Sequence, residues 1–498
     1  MTPSRRSFVL MWGAHGWLGI ALGTCLFAMF FAGSLTLFKE DVALWEQPAL
    51  RVDVPPGELA RTDAVLERAL GGETPRGPVS LELPHKGSPR WRASWEGADG
   101  TPRSVTLRAT TLEPWEGPER SALAELLYEV HKLGFLPAGE YVGGLVAIAL
   151  LLSLVSGVVI HLRAIPHALL RLRWGERLRV WLGDLHALLA VVTLPALLVF
   201  GLTGAYLGVH GGLWQLLAVS SMRANPGFLM EDWNGPVPDV AQLQAGGERL
   251  RVGALLERVQ GEGLQPHFVE LPGTPEASGW ARIHSEREGA FFNTEMRTYA
   301  LQGGRLLTTR SAKSGSVVHW TENVVTGLHY ASFGGRGLKV AYAVLALAMA
   351  AVCLVGVRLW GERRAASARA AAAAGVAVSA MLALLVVTAL TFAAQRAGAL
   401  AGLALDRVLE PLFFGSWALL TLAAWRWRRP GSRAALALAA ASYLGAPLLG
   451  AFSPLGSVGF VDGLLVALGA ACAGGALWRR AMSRGPARAL SLESAAPR

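Results

Sequence analysis

Long apolar runs alternate with long mixed ones through the first 361 residues. Met11–Phe38 contains no charged residue, and Tyr141–Leu162, Leu185–Val209 and Val340–Val357 repeat the pattern. A helix of roughly 20 apolar residues crosses about 30 Å of hydrocarbon, so each run predicts a transmembrane helix. Four more runs follow at Ala370–Ala394, Pro411–Trp425, Ala434–Phe452 and a last one ending near Trp478. The expectation is about eight spans, the sixth of them short, with Asp462 marking the outer end of the eighth. The first run is too long for a signal peptide and no small-residue cleavage pattern follows it, which predicts a retained span. The chain divides into a first span (1–40), a loop (41–136), a second span (137–163), a short loop (164–184), a third span (185–210), a second long loop (211–336), a fourth span (337–361) and a four-helix extension (362–498).

The two long loops share a plan. Each contains one amphipathic helical segment, Glu58–Leu70 in the first and Val252–Val259 in the second. Strand-like alternation follows at Trp91–Trp95, Ser104–Leu107 and Ala281–His284. A local signal, L-E-L-P at 81–84 and V-E-L-P at 269–272, recurs in both. Each loop ends in a helical approach carrying a histidine, ELLYEVHKLGF at 125–135 and NVVTGLHYASF at 323–333. The spans before the loops also match: HGWLG at 15–19 aligns with HALLA at 186–190 and Gly33 with Gly204, both at an offset of 171 residues. His131 and His329 pair at an offset of 198. The first four spans thus read as two copies of one unit, predicting a pseudo-twofold four-helix core with an axis along the membrane normal.

Composition agrees with the spans: the chain is 52% hydrophobic and only 16% charged, too apolar for an ordinary soluble domain. Its net charge of +10 does not point to nucleic acid, because the excess arginine sits in short loops between apolar runs. Arg5 and Arg6 precede span one. Arg163, Arg171, Arg173, Arg177 and Arg179 lie between spans two and three, and Arg358, Arg363, Arg364 and Arg369 follow span four. Arg426, Arg428, Arg429 and Arg433 separate spans six and seven, and Arg479, Arg480 and Arg484 follow span eight. All these loops fall on one side, which predicts a bacterial inner-membrane protein with both termini cytoplasmic and loops 41–136 and 211–336 exported. Tryptophans 12, 17, 45, 174 and 181 are expected in interfacial belts.

The cysteines, Cys25, Cys353 and Cys472, all lie in apolar runs, which excludes a disulfide framework in the loops, a cysteine zinc site, a cysteine-ligated Fe–S cluster and c-type haem attachment. There is no P-loop, no dinucleotide fingerprint and no H-E-x-x-H. Any electron donor must therefore come from outside the chain, as a membrane quinol or a separate reductase.

The chain has 11 histidines and none follows His329, so imidazole chemistry is confined to the repeat. His15 and His186 sit near the cytoplasmic ends of spans one and three, and His131 and His329 just before spans two and four. Ionisable residues in membrane spans are costly and mark function, and a neutral imidazole is a good ligand for haem iron. The repeat pairs His15 with His186 and His131 with His329, two sites at two depths. His161 and His210 lack repeat partners, their aligned positions lying near Leu359 and at Lys39. Either can replace an axial ligand, His161 opposite His186 and His210 opposite His131 or His329. A lone interfacial histidine is more often a snorkelling residue; six at two depths favour haem. His85, His267 and His284 read as ordinary loop-surface residues, His167 as a headgroup neighbour and His319 as a packing residue. Gly143, Gly144, Gly157, Gly204 and Gly356 read as helix-packing positions or as room for a porphyrin.

The segment from Arg6 to His15-Gly16-Trp17-Leu18-Gly19, Leu185-His186 with Leu202-Thr203-Gly204, and G-L-H-Y-A-S-F-G-G at 327–335 resemble the PepSY-associated transmembrane helix family. The resemblance covers about residues 1–361. It implies a helical polytopic protein with four core spans, two exported α+β PepSY-like domains and, in the iron-uptake branch, a di-haem b ferrisiderophore reductase. The family's span histidines correspond to His15, His131, His186 and His329, with His161 a further matching position. The last four spans lie outside that pattern, and Lys39 and Arg358 break the histidine symmetry. The leading expectation is an oxidoreductase with two haem b groups that carries electrons across the bilayer to a ferric siderophore or other ferric chelate. The alternatives are a non-catalytic PepSY regulator or binding module, and a transporter, against which the first four spans lack midplane charges.

Overall fold

A computed structural model describes residues 5–51, 57–85, 88–117, 120–161, 172–173, 176–221, 238, 243, 247–274, 279–311, 317–426, 433–452 and 459–482. Arg163, His167, Arg171, Trp174, Arg428, Arg429 and Arg484 lie outside these residues. The chain forms two compact units: 1–48, 120–205 and 343–498 make one, and 49–119 with 206–342 the other.

The first unit is helical. It contains α1 (Arg5–Thr36), α2 (Lys39–Glu46), α4 (Ala122–Lys132) and α5 (Gly139–His161), most of α6 (Leu178–Ser221) and of α9 (Gly335–Arg363), and then α10 (Ala368–Leu400), α11 (Leu409–Arg426), α12 (Arg433–Ala451) and α13 (Gly459–Met482). Among the described residues seven helices are long and apolar enough to cross a membrane: α1, α5, α6, α9, α10, α12 and α13. The expected sixth span forms a helix, α11, but is not one of the seven. It has 18 residues, with Glu410 in its first turn and Arg426 in its last. α1 packs on α4, α5 and α10, and α10 packs on α11 and α12. Phe27, Phe31, Leu35, Val386 and Phe392 are fully buried in the shared core.

A polar hub ties the C-terminal helices to the start of the chain. The Glu46 carboxylate accepts hydrogen bonds from the Ser121 hydroxyl, from the Leu123 N–H at 3.1 Å and from the Gln395 amide at 2.6 Å. Ser121 in turn caps α4, accepting from the Ala124 N–H at 3.0 Å. Trp45, expected in an interfacial belt, is instead fully buried. Its indole N–H donates to Asp462 at 2.8 Å, and the Arg396 guanidinium lies 3.8 Å from its ring centre. Trp181 is buried as well, whereas Trp12 and Trp17 are exposed.

The second unit is built on one seven-stranded antiparallel sheet in the order β3-β2-β1-β4-β5-β6-β7. Its strands are β1 (Val79–Glu82), β2 (Arg90–Glu96), β3 (Pro102–Arg108), β4 (Gln265–Leu271), β5 (Trp280–Glu286), β6 (Thr294–Ala300) and β7 (Leu306–Ser311). The sequence predicts two modules, but β1 of the first loop pairs with β4 of the second, so the loops share one sheet. Repeat-equivalent residues Leu81 and Val269 face each other directly in this pairing, the register of a local twofold through the sheet. Separate sheets would each have left a strand edge open, and pairing removes two edges at once.

Helices α3 (Thr62–Leu70) and α7 (Val252–Gly261) cover one sheet face. Val65 and Leu66 of α3 and Leu255 and Leu256 of α7 bury themselves against Leu81, Trp91, Val269, Ile283 and Tyr299. The cap of α7 comes from the other repeat: Asp63 accepts from the N–H groups of Val252 and Gly253, each at 3.0 Å. A carboxylate there meets two of the helix's unpaired donors and its positive end. Helix α8 (Val317–Tyr330) contributes Asn323, which accepts from the Thr294 hydroxyl at 2.6 Å.

Two predictions follow from these contacts. Asp63→Ala removes both capping bonds and lowers unfolding stability by about 1 kcal/mol, with Asp63→Asn losing less. Denaturant unfolding followed by tryptophan fluorescence checks this, and equal stability of wild type and Asp63→Ala would refute the capping role. Burial pushes the Glu46 carboxyl from an ordinary 4.5 up to about 7, against the opposing effect of its Ser121 and Leu123 donors. The folded chain therefore holds this proton more tightly than the unfolded one. The resulting stabilisation is complete below pH 4.5 and is lost as pH rises through about 7. Melting temperature in detergent is expected to fall across that window, and Glu46→Gln to flatten the slope; an unchanged slope in the variant speaks against this carboxyl as its source.

Candidate functional site

Three span and approach histidines are held in the same way. The His15 ring on α1 turns its Nδ1 to the backbone carbonyl of Ser153 on α5, at 2.9 Å. The His186 ring on α6 turns its Nδ1 to the carbonyl of Val352 on α9, at 3.2 Å. The His131 ring on α4 turns its Nδ1 to the carbonyl of Met29 on α1, at 2.8 Å. A carbonyl only accepts, so in each case Nδ1 carries the proton and Nε2 keeps its lone pair. This is the tautomer a metal-binding histidine needs, with its second nitrogen oriented by an outer partner.

In all three cases a glycine stands one helical turn beyond the accepting carbonyl. A Cβ added at Gly157 would lie 3.1 Å from the His15 ring, at Gly356 2.9 Å from the His186 ring, and at Gly33 2.8 Å from the His131 ring. The missing side chains are what let each imidazole reach the neighbouring helix backbone. Gly33 has Gly204 as its repeat equivalent. By contrast, Gly19, one turn from His15, faces open space.

The structure brings His15 and His186 together, with ring centres 6.2 Å apart and planes at 66°. Two neighbouring imidazoles with both Nδ1 atoms committed to carbonyls fit the nitrogen donors by which a protein can hold haem iron. His161 closes α5 one turn after Gly157, on the same helix face, and is exposed.

His131 and His329 belong to different units. Burial holds the His131 imidazole below its ordinary pKa and so keeps it neutral. His329 lies near the end of α8, its ring edge-on to Tyr330 with centres 5.3 Å apart. Both histidines stand two residues before a non-glycine residue in the left-handed region, Leu133 at φ 58° and Ala331 at φ 52°. Such a conformation costs on the order of 1 kcal/mol, and its recurrence at equivalent positions marks a shared requirement of the two turns.

His210 takes part in a different arrangement. Its Nδ1 donates to the Leu207 carbonyl of its own helix at 2.8 Å, its ring stacks on Tyr206, and its Nε2 lies 3.8 Å from Glu322. Tyr206 donates its hydroxyl to the same Glu322 oxygen at 2.8 Å. Glu322 is not legible in the sequence, because nothing in a linear pattern links residues 206, 210 and 322. The accepting carbonyls leave no mark there either, although the glycines beside them stand out as small residues in apolar runs. His319 is buried on α8. His267 and His284, expected at the surface, are partly buried neighbours within the sheet, with ring centres 6.5 Å apart. Among the described residues no three His, Cys, Asp or Glu side chains converge to hold a bare metal ion.

These features define a multi-pass helical membrane protein with a separate antiparallel sheet and a carbonyl-anchored histidine pair. Residues 12–363 match the PepSY-associated TM region, and the chain belongs to that family. It is also 31% identical over 239 residues to an uncharacterized protein of Pseudomonas aeruginosa, an alignment covering 46% of this chain and 60% of that protein.

The glycine cradles yield a contrast in stability. Gly356→Ala places a methyl group against the His186 ring and is expected to cost about 1–3 kcal/mol by overpacking. Gly19→Ala meets nothing and is expected to be neutral or stabilising through helix propensity. Melting temperatures in detergent compare them; equal effects at the two sites would contradict the cradle.

Proposed function

We propose that this chain is a haem b oxidoreductase that passes electrons across the inner membrane to a ferric siderophore or another ferric chelate on the exported side. The observation that carries the reading is the His15–His186 pair, two imidazoles 6.2 Å apart with their Nδ1 atoms anchored on carbonyls. His15 and His186 would hold one haem, and the sequence repeat nominates His131 and His329 for the second. When bound, haem supplies a one-electron couple whose potential is set by axial ligation and burial.

The protein's own residues then have defined tasks. The carbonyls of Ser153, Val352 and Met29 keep three imidazoles in the ligating tautomer. Gly157, Gly356 and Gly33 leave the room that this orientation needs. His161 and His210 stand as alternative ligands; the involvement of His210 with Tyr206 and Glu322 favours the repeat-related pairs over it. The electron donor is a membrane quinol or a separate reductase. One electron converts each ferric ion to ferrous, and hard-oxygen chelators hold the ferrous ion less tightly, so the metal is released without a protein acid or base.

The deciding experiment is a dithionite-reduced minus oxidised spectrum of the purified protein with a pyridine haemochrome count. A b-type spectrum with two haems per chain is expected, and His186→Ala and His329→Ala should each lose one. The reduced protein, reconstituted in vesicles, should then turn a ferric hydroxamate ferrous at its exported face. A colourless wild type overturns the reading and leaves a PepSY regulator or binding module as the better account.

A further inference from the structure

The sheet contains a second pair of histidines that the span chemistry does not use. His267 lies on β4 and His284 on the adjacent β5. The register between these strands shifts between Pro266 and Phe268. Pro266 pairs with Ser285 and Phe268 with His284, which leaves His267 as the extra residue of a bulge. In regular alternation, neighbours 267 and 268 would point to opposite faces. The bulge instead brings His267 beside its neighbour's partner, so that both imidazoles meet with ring centres 6.5 Å apart and planes at 69°. Bulges of this kind re-aim a side chain, and they concentrate at functional sites.

The polar atoms of the pair are unusual for packing residues. Nδ1 of His267 and Nε2 of His284 are both buried and neither makes a hydrogen bond of good geometry among the described residues, although the Gln265 backbone lies close enough to the His267 ring to favour its charged form. An unsatisfied buried nitrogen is costly, and most buried polar groups in folded proteins find a partner. Burial lowers the pKa of His267 and, with the nearby charges of His267 and Arg282, pushes His284 down to about 4. A neutral imidazole offers a lone pair on the nitrogen that carries no proton. The Glu286 carboxylate and the His85 imidazole lie within electrostatic reach of His267. The opposing cation, Arg282, is paired with Glu270 at 3.0 Å and stacked over Trp280.

We propose that His267 and His284 form a binding site for a divalent transition-metal cation of the imidazole-seeking class, such as Cu(II), Ni(II) or Zn(II). The protein supplies two nitrogen ligands, and the remaining positions go to water or to donors of an incoming molecule. A site with two protein ligands is open and exchangeable, suited to receiving and passing on a cation rather than to storing one. The proposal is independent of the haem reading, since no residue is shared between the two sites.

The test uses full-length, detergent-purified protein without a polyhistidine tag and Cu(II) as the probe. One equivalent of Cu(II) should give an electron paramagnetic resonance spectrum with coupling to two imidazole nitrogens. His267→Gln and His284→Gln should each weaken binding by more than about tenfold, and the double variant should lose it. His284→Cys, which keeps a metal donor, should retain Zn(II) binding where His284→Gln does not. An unchanged melting temperature in each variant shows that the fold is intact. Should a variant fail to fold, the wild-type spectrum decides alone. Absence of bound Cu(II), a spectrum without two-nitrogen coupling, or full binding by the double variant overturns the proposal and leaves the two rings as a packing pair.

Discussion

An imidazole N–H pointed at the backbone of a neighbouring helix is the interaction on which the membrane-embedded part depends. A histidine in a bilayer must satisfy its polar atoms inside the protein. His15 and His186 each do so with a carbonyl that already serves a helix, and His131 on the approach helix α4 repeats the contact; in all three a glycine one turn on leaves the room. The contact joins two helices and sets the tautomer.

The sheet solves a related problem for the loops. Each loop alone offers too few strands to close an edge, and β1 and β4 meet at their equivalent residues Leu81 and Val269. Asp63 of the first loop then caps α7 of the second. The duplicated segments fold against each other around a common core, so the duplication is stabilised by contacts between the copies as well as within each one.

The C-terminal helices, which have no counterpart in the repeat, are joined to it through buried polar groups. Glu46 receives donors from α4 and α10, and Trp45 reaches Asp462 on α13. Buried polar contacts of this kind specify one arrangement, because a shifted helix would leave a charged or amide group unpaired. The same burial places the Glu46 carboxyl near neutrality.

Apolar run length is a one-dimensional property, so the sequence alone marks α1, α5, α6, α9, α10, α12 and α13 as long and apolar enough to cross a membrane; the sixth run forms helix α11, which carries a charge at each end and is not among these seven. Offsets survive in order, so the alignment of His15 with His186 and of His131 with His329 is a reading of the sequence alone. Helices α3, α4, α7 and α8 and strands β2, β3 and β5 were visible in the sequence pattern, whereas β6 and β7 were not. The joining of two loops into one sheet was not, since strand partners distant in sequence leave no local mark. Nor could the sequence place Trp45 inside, unite Tyr206, His210 and Glu322, or bring His267 to His284. Each of those depends on which surfaces meet, and a bulge or a cross-helix contact is set by packing, which only the tertiary structure decides.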